Sequence, residues 1–363
     1  MKATAHGVEI DSFPESRVRN SQAHGIGRVV TLEGGGAWSN LGRNLVFVGP
    51  DLRPRAFFGE SAFSEDEPSQ YDLDVHAILD LPDAGVVVAL NHLGTVRAFH
   101  AGDVRPAGPV RHVTPTWTRT FPADVERAVV VDGRLVGSRP REERTFGLLV
   151  SEPLAPDAAG GELGVTRELE SWGFVTALAA MKGDVALGGN GRVSVAAVHG
   201  GHVGPPRWEA HVDFEPAFVH WDGTLLWAAG SAGTDSVDDY DWEAQRGGGF
   251  AALDPEDGHA VVHGRFDQDL AWGNGGVALA LVPGALCGFG RRGEVHVFDA
   301  RDGAPLAATA PVAHVSLGIA HGAAIGGNLV YGFNRGGYRL FTIPIAAIQD
   351  VVGSRGRLVG GHG

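Results

Sequence analysis

Apolar and polar residues along this chain fall into one recurring unit. It is an apolar run, a short polar turn with glycine, and an alternating run that closes near an aromatic residue. Residues 284–299 (GALCGFGRRGEVHVFD) carry it most clearly, and residues 85–100 (GVVVALNHLGTVRAFH) and 327–342 (GNLVYGFNRGGYRLFT) repeat it without a gap. Alternation at period two puts every second side chain on one face, and a glycine turn lets the chain fold straight back. Each unit therefore predicts a β-hairpin. Weaker copies predict hairpins joining 44–49 to 54–58, 128–137 to 145–150, 184–189 to 191–198 and 224–230 to 249–254. A further strand precedes several hairpins, at 76–81, 176–181, 217–221 and 277–282, and another follows, as at 206–212 and 259–264.

Four strands per unit, A to D, and seven units predict an all-β, seven-bladed β-propeller of four-stranded antiparallel blades. The last unit has no good D strand after residue 341, while the strand at 26–33 (IGRVVTLE) has no unit of its own. An open joint in a ring of sheets would expose unpaired backbone. The expectation is that this N-terminal strand pairs with the strand around residues 338–341 and closes the last blade. The domain plan is a tail or strap at 1–25, the propeller at 26–346 and a C-terminal tail at 347–363. Only residues 344–352 hint at helix, about one turn.

Composition adds limits. Glycine is abundant, 55 of 363 residues, and spread along the whole chain, which suits many tight turns rather than one linker. A net charge of −14 repels phosphate backbones and argues against a nucleic-acid partner. Cys287 is the single cysteine, so no intrachain disulfide forms, and its apolar run marks it as a small buried hydrophobe. Lysine occurs only at Lys2 and Lys182; the arginine, alanine and glycine bias fits a GC-rich bacterial genome. The N-terminus lacks the apolar core of a secretion signal, and the longest apolar run, 277–289, is broken by Pro283 and too short to span a bilayer. The reading is a soluble, cytoplasmic protein with no membrane partner.

Two turns after strand C carry a family resemblance. AALDPEDG (251–258) and VFDARDG (297–303) resemble the ALDxxTG corner of the pyrroloquinoline-quinone-type repeat, a WD40-like propeller superfamily that includes YVTN-type propellers and non-enzymatic assembly factors. In such a corner Asp254 or Asp299 caps the turn through its carboxylate, and Gly258 or Gly303 takes the positive φ. The resemblance supports the fold. The quinone enzymes of the group use adjacent cysteines and a tryptophan platform, and a chain with one cysteine departs from that pattern.

In a propeller the loops from D to the next A, and from B to C, share one face. Reading those loops brings Trp38, Trp117, Trp172, Trp242, Trp272, His92, Arg291, Asn334 and Arg335 to the top face as ligand-binding candidates. Glu215, Asp269 and His314 join them as candidates for acid–base chemistry. The competing reading of each tryptophan is a ring that closes the channel or stacks between blades. The long B–C loop at 232–249 carries Asp235, Asp238, Asp239 and Asp241, which offer oxygen ligands for Ca2+. Their spacing does not match an EF-hand loop, and a solvated acidic loop is the plainer reading. His199 and His202, in an HGGH turn, lack a third ligand nearby.

Three functions compete on this surface. One is a binding or scaffold propeller that holds a protein, a peptide or an anionic small molecule at the top face around the central channel. The second is a small-molecule lyase, isomerase or hydrolase with its acid–base site at the channel mouth. The third is a sugar-binding module that uses its tryptophans as platforms. No GxSxG elbow, phosphate-cradling loop or metal motif favours the enzyme, and propellers host all three classes.

Overall fold

A strand that is apolar on both faces needs a neighbour on both faces, and this chain supplies them by stacking sheet against sheet. In the computed structural model the described residues are 6–9, 26–31, 37–41, 44–49, 54–58, 75–81, 85–91, 94–104, 111–121, 125, 127–140, 146–154, 161–162, 165–169, 175–232, 247–267, 270, 272–273, 276–277, 279–290, 292–311, 320–333 and 339–359. Among them are seven sheets of four or five strands and a two-stranded ribbon, Trp272–Gly273 with Gly276–Val277.

The first sheet runs Ile26–Thr31, Ala37–Leu41, Asn44–Val48, Pro54–Phe58, with Arg111–His112 added in parallel at its outer edge. The second runs Val75–Leu81, Val86–Asn91, Thr95–His100, Trp117–Thr120, with Gly161–Glu162 added in parallel. The third is Arg127–Val131, Arg134–Pro140, Phe146–Pro153, Val165–Leu169, and the fourth Ala177–Met181, Asp184–Gly189, Arg192–His199, His202–His211. The fifth is Glu215–Trp221, Leu226–Ser231, Gly248–Leu253, Ala260–Phe266, and the sixth Leu279–Val282, Ala285–Phe289, Val295–Asp299, Pro305–Ala308. The seventh is Ala320–Ile325, Asn328–Phe333, Arg339–Pro344, completed by His6–Glu9. First strands pack on first strands of neighbouring sheets. Ile26–Thr31 lies against both Val75–Leu81 and Ala320–Ile325, and Glu215–Trp221 lies against Ala177–Met181 on one side and the ribbon strand Gly276–Val277 on the other.

Turn chemistry sets the hairpins. Asp132–Gly133 and Asn190–Gly191 are two-residue turns with positive φ at both positions, 48° and 70° in one and 53° and 64° in the other. That is the type I′ pattern, whose twist matches that of the flanking strands. The core lies in seams between adjacent sheets. Leu90, Trp117, Leu135 and Leu149 share the seam of the second and third. Val195, Trp208, Val219 and Leu226 share that of the fourth and fifth. Middle strands face a seam on each side, so Val86–Asn91, Leu226–Ser231 and Ala285–Phe289 are buried throughout. This is why they read as unbroken apolar runs and not as alternation.

Two expectations about the ends are corrected. An N-terminal strand does complete the last sheet, but it is His6–Glu9, pairing Val8 with Leu340 and His6 with Thr342. The strand expected there, Ile26–Thr31, instead pairs with Ala37–Leu41 in the first sheet. The AWSNL strand, half polar and only five residues long, gives no clear period, so the strand before it looked surplus. The region read as a C-terminal tail holds a 15-residue helix, Ile345–Val359. Gly353, Ser354 and Gly356 make it a poor helix by propensity, and it forms where Ile345, Ile348 and Val352 pack on the sixth and seventh sheets.

Candidate functional site

The first strands of the third, fourth and fifth sheets each open at a polar residue, Arg127, Thr176 (just ahead of Ala177) and Glu215. A polar group at that point marks where the chain leaves the apolar seam. Hydrogen bonds link the three across sheet boundaries. Arg127 Nε donates to the Thr176 carbonyl at 3.0 Å. The Thr176 hydroxyl reaches the Gly188 carbonyl at 3.1 Å and the carbonyl of Pro216 in the next sheet. The Glu215 carboxylate accepts from the backbone N–H groups of Asn190 at 3.0 Å and Gly191 at 3.1 Å.

Glu215 thus clamps a type I′ turn of the fourth sheet from the first strand of the fifth. Burial pushes its carboxyl above the usual carboxylate range, while the bonds from Asn190, Gly191 and Thr176 act the other way. Close backbone packing surrounds the clamp. A Cβ at Gly230 would overlap the Glu215 carbonyl, so this position tolerates only glycine. Asp213 and Arg265 form an exposed ion pair between the entry to the fifth sheet and its last strand. Glu215 uses both oxygens on the turn, so the described part of this rim presents a rigid hydrogen-bonded edge rather than a ready acid–base pair.

Of the residues singled out from sequence, Glu215 lies on this rim. Trp117 does not: it opens the last strand of the second sheet and is 5% exposed in the seam against the third. Its indole is core packing, the competing reading, because a residue just inside an outer strand points into the seam rather than along a loop. The neighbouring Arg119 stacks on that indole and pairs with Glu152. Trp38 lies in Ala37–Leu41 opposite Phe47, and Trp272 in the ribbon opposite Val277. His92, Trp172, Trp242, Asp269, Arg291, His314, Asn334, Arg335 and the aspartates from Asp235 to Asp241 lie outside the described residues. Arg127 and Thr176 were missed; their signal is a polar residue directly ahead of an apolar strand.

The opposite ends of the sheets carry the corners, and here the turn expectation holds. Asp254 accepts from the Glu256 N–H at 2.8 Å and Asp299 from the Arg301 N–H at 2.9 Å. Gly258 and Gly303 take φ of 77° and 71°. Each corner also leans on the last strand of the preceding sheet. The Trp208 indole donates to the Pro255 carbonyl at 2.8 Å. A Cβ at Gly258 would meet the Trp208 ring at 2.5 Å, and one at Gly303 the Arg265 carbonyl at 2.7 Å. Asp254, Asp257 and His259 bring three ligand-type atoms within 4.8 Å of one another. Asp257 Oδ1 lies 2.6 Å from the His259 ring nitrogen and accepts from the His259 N–H at 3.0 Å, so this pair is engaged within the turn.

No described helix is long and apolar enough to cross a membrane. No protein-family model matches this sequence, and no curated protein matches it. Solved structures do. The WD40 domain of Pan2 from Neurospora crassa is similar with a TM-score of 0.59 at 12% identity, over 95% of this chain and 96% of that one. The WD40 β-propeller domain of Doa1 gives 0.55 at 8% identity, over 88% and 93%. The computationally designed Ika8 protein gives 0.51 at 13% identity, over 88% and 83%. At such identities the likeness concerns architecture alone: this chain has a WD40-like β-propeller fold.

Proposed function

We propose that the chain is a seven-bladed propeller that serves as a binding or scaffold module and holds a protein or peptide on the rim where the first strands begin. The observation that carries this reading is topological. Asn91, Ser231 and Phe333, at the ends of second strands, pair with Val75, Glu215 and Ala320, which open first strands. These strand ends lie at the same end of the second, fifth and seventh sheets as the openings of their first strands, and in sequence His92 follows Asn91 while Asn334 and Arg335 follow Phe333. Arginine and tryptophan on a rigid edge suit a partner that offers a carboxylate beside an apolar group. The clamp at Glu215 favours binding over acid–base catalysis, since it fixes the edge and uses up the carboxylate. The Asp254 and Asp299 corners support kinship with the pyrroloquinoline-quinone-type repeat.

The test is affinity capture from a bacterial lysate with the parent protein and with Arg335→Ala, Trp272→Ala and Glu256→Ala, read by mass spectrometry. A partner retained by the parent and by Glu256→Ala, but lost from both rim variants with melting unchanged, is the expected result. Equal capture by all four proteins would overturn the rim as the binding surface.

A further inference from the structure

The C-terminal helix, Ile345–Val359, is joined to the propeller in a way that its own sequence cannot sustain. Gly353 and Gly356 each cost about 1 kcal/mol of helix propensity. Val351 and Val352 are β-branched, and no acidic residue occupies the first turn. A 15-residue helix of that composition is unstable alone in water. It is held at two places. Ile348, 2% exposed, enters the seam of the sixth and seventh sheets with Ile345 and Val352 beside it. Arg355, one turn past Val352, donates to Asp299 at 2.9 Å and to both oxygens of Asp302 at 2.8 and 3.0 Å.

The helix follows directly from Arg339–Pro344, the strand completed by His6–Glu9, while Asp299 and Asp302 belong to the corner of the sixth sheet. It therefore ties the seventh sheet to the sixth at the same joint that the N-terminal strand completes. The same seam encloses Cys287, wholly buried, its thiol pushed up to about 12 by that burial.

We infer that this helix is a dock-or-melt latch: it stays helical only while seated on the seam and bound through Arg355, and its release opens the sixth–seventh seam without unfolding the rest of the chain. The geometry demands the coupling, because the residues that would have to stabilise an undocked helix are those that weaken it. The ionic contact sets the lifetime of the closed state. Arg355 is 32% exposed and Asp302 52% exposed, so solvent and salt reach this contact. A competing cation, including a guanidinium on another protein, would release the latch by taking Asp302.

Cys287 reports the event, since no other thiol is present. The full-length protein is exposed to an aromatic disulfide reagent, and the labelling rate is followed at several urea concentrations below the unfolding transition. The expected rate is roughly tenfold higher for Arg355→Gln than for the parent, with a shallow dependence on urea that marks a local opening. Raising the salt to 1 M should speed labelling of the parent and leave Arg355→Gln nearly unchanged. A chain ending at Pro344 should label fastest of all. If that truncation does not fold, the Arg355→Gln and salt measurements stand by themselves. Equal rates in parent and Arg355→Gln would overturn the latch. So would labelling that rises as steeply with urea as global unfolding, because the helix would then open only with the whole fold.

Discussion

Replacing Asp299 with Asn isolates the charge at the sixth corner and nearly preserves its shape. The Asp299 side chain is fully buried, yet it accepts from Arg301 Nε at 2.9 Å and Nη2 at 2.6 Å, from the Arg301 N–H at 2.9 Å and from Arg355 at 2.9 Å. The Arg301 guanidinium above all, with Arg355 assisting, holds the carboxyl down at about 2 from its ordinary 3.8, although burial acts in the opposite direction. Each pKa unit is worth about 1.4 kcal/mol, so ionised Asp299 contributes about 2.5 kcal/mol to the folded state. With about 2.1 cal/mol/K of unfolding entropy per residue, a chain of 363 residues loses about 3 °C in Tm for that amount. Because the folded pKa is the depressed one, the stabilisation is complete above roughly pH 5 and lost as the pH falls towards 2. Calorimetry at a series of pH values should therefore find Asp299→Asn lower by about 3 °C at pH 7, with the gap closing between about pH 4 and pH 2. A variant that melts within about 1 °C of the parent at pH 7, or a gap that stays constant into acid, would refute the reasoning.

Gly303→Ala forces a side chain into a positive-φ turn and against the Arg265 carbonyl, and should cost roughly 2–3 kcal/mol in urea unfolding; a neutral outcome would mean the corner does not bear on the fifth sheet. Trp117→Ala empties the seam of the second and third sheets and should cost roughly 3–5 kcal/mol, whereas a rim ligand platform would leave stability almost unchanged. Removing residues 1–10 deletes His6–Glu9 and bares the edge of Arg339–Pro344; light scattering on warming should detect earlier aggregation, and a truncation that melts and scatters like the parent would contradict this closure.

The difference between what was legible and what was not follows particular residues. The units at 85–100, 284–299 and 327–342 were visible because middle strands face a seam on each side and must be apolar throughout. Gly258 and Gly303 were visible because a positive φ leaves few alternatives. The Ala37–Leu41 and His6–Glu9 strands were not, since strands of five and four residues with polar members carry no usable period. Trp117 was assigned to a loop because its strand, Trp117–Thr120, has only four residues, and sequence alone does not say on which side of the boundary its first residue falls. Glu215 was noticed as a charge, but its part as a clamp depends on a turn 24 residues away.

What the sequence determined by itself is therefore local and periodic: strand, turn, glycine, and the all-β repeat that these build. Each is dictated by the backbone and by the burial of neighbouring residues within a few positions. What only the tertiary structure decided is the choice of partners among interchangeable pieces. Several short strands satisfy the same hydrogen bonds, so the strand that completes the last sheet is settled by which one reaches the Arg339–Pro344 edge. The C-terminal helix is settled the same way. Its own residues disfavour it, and it exists because a seam and two carboxylates far back in the chain are in place to receive it.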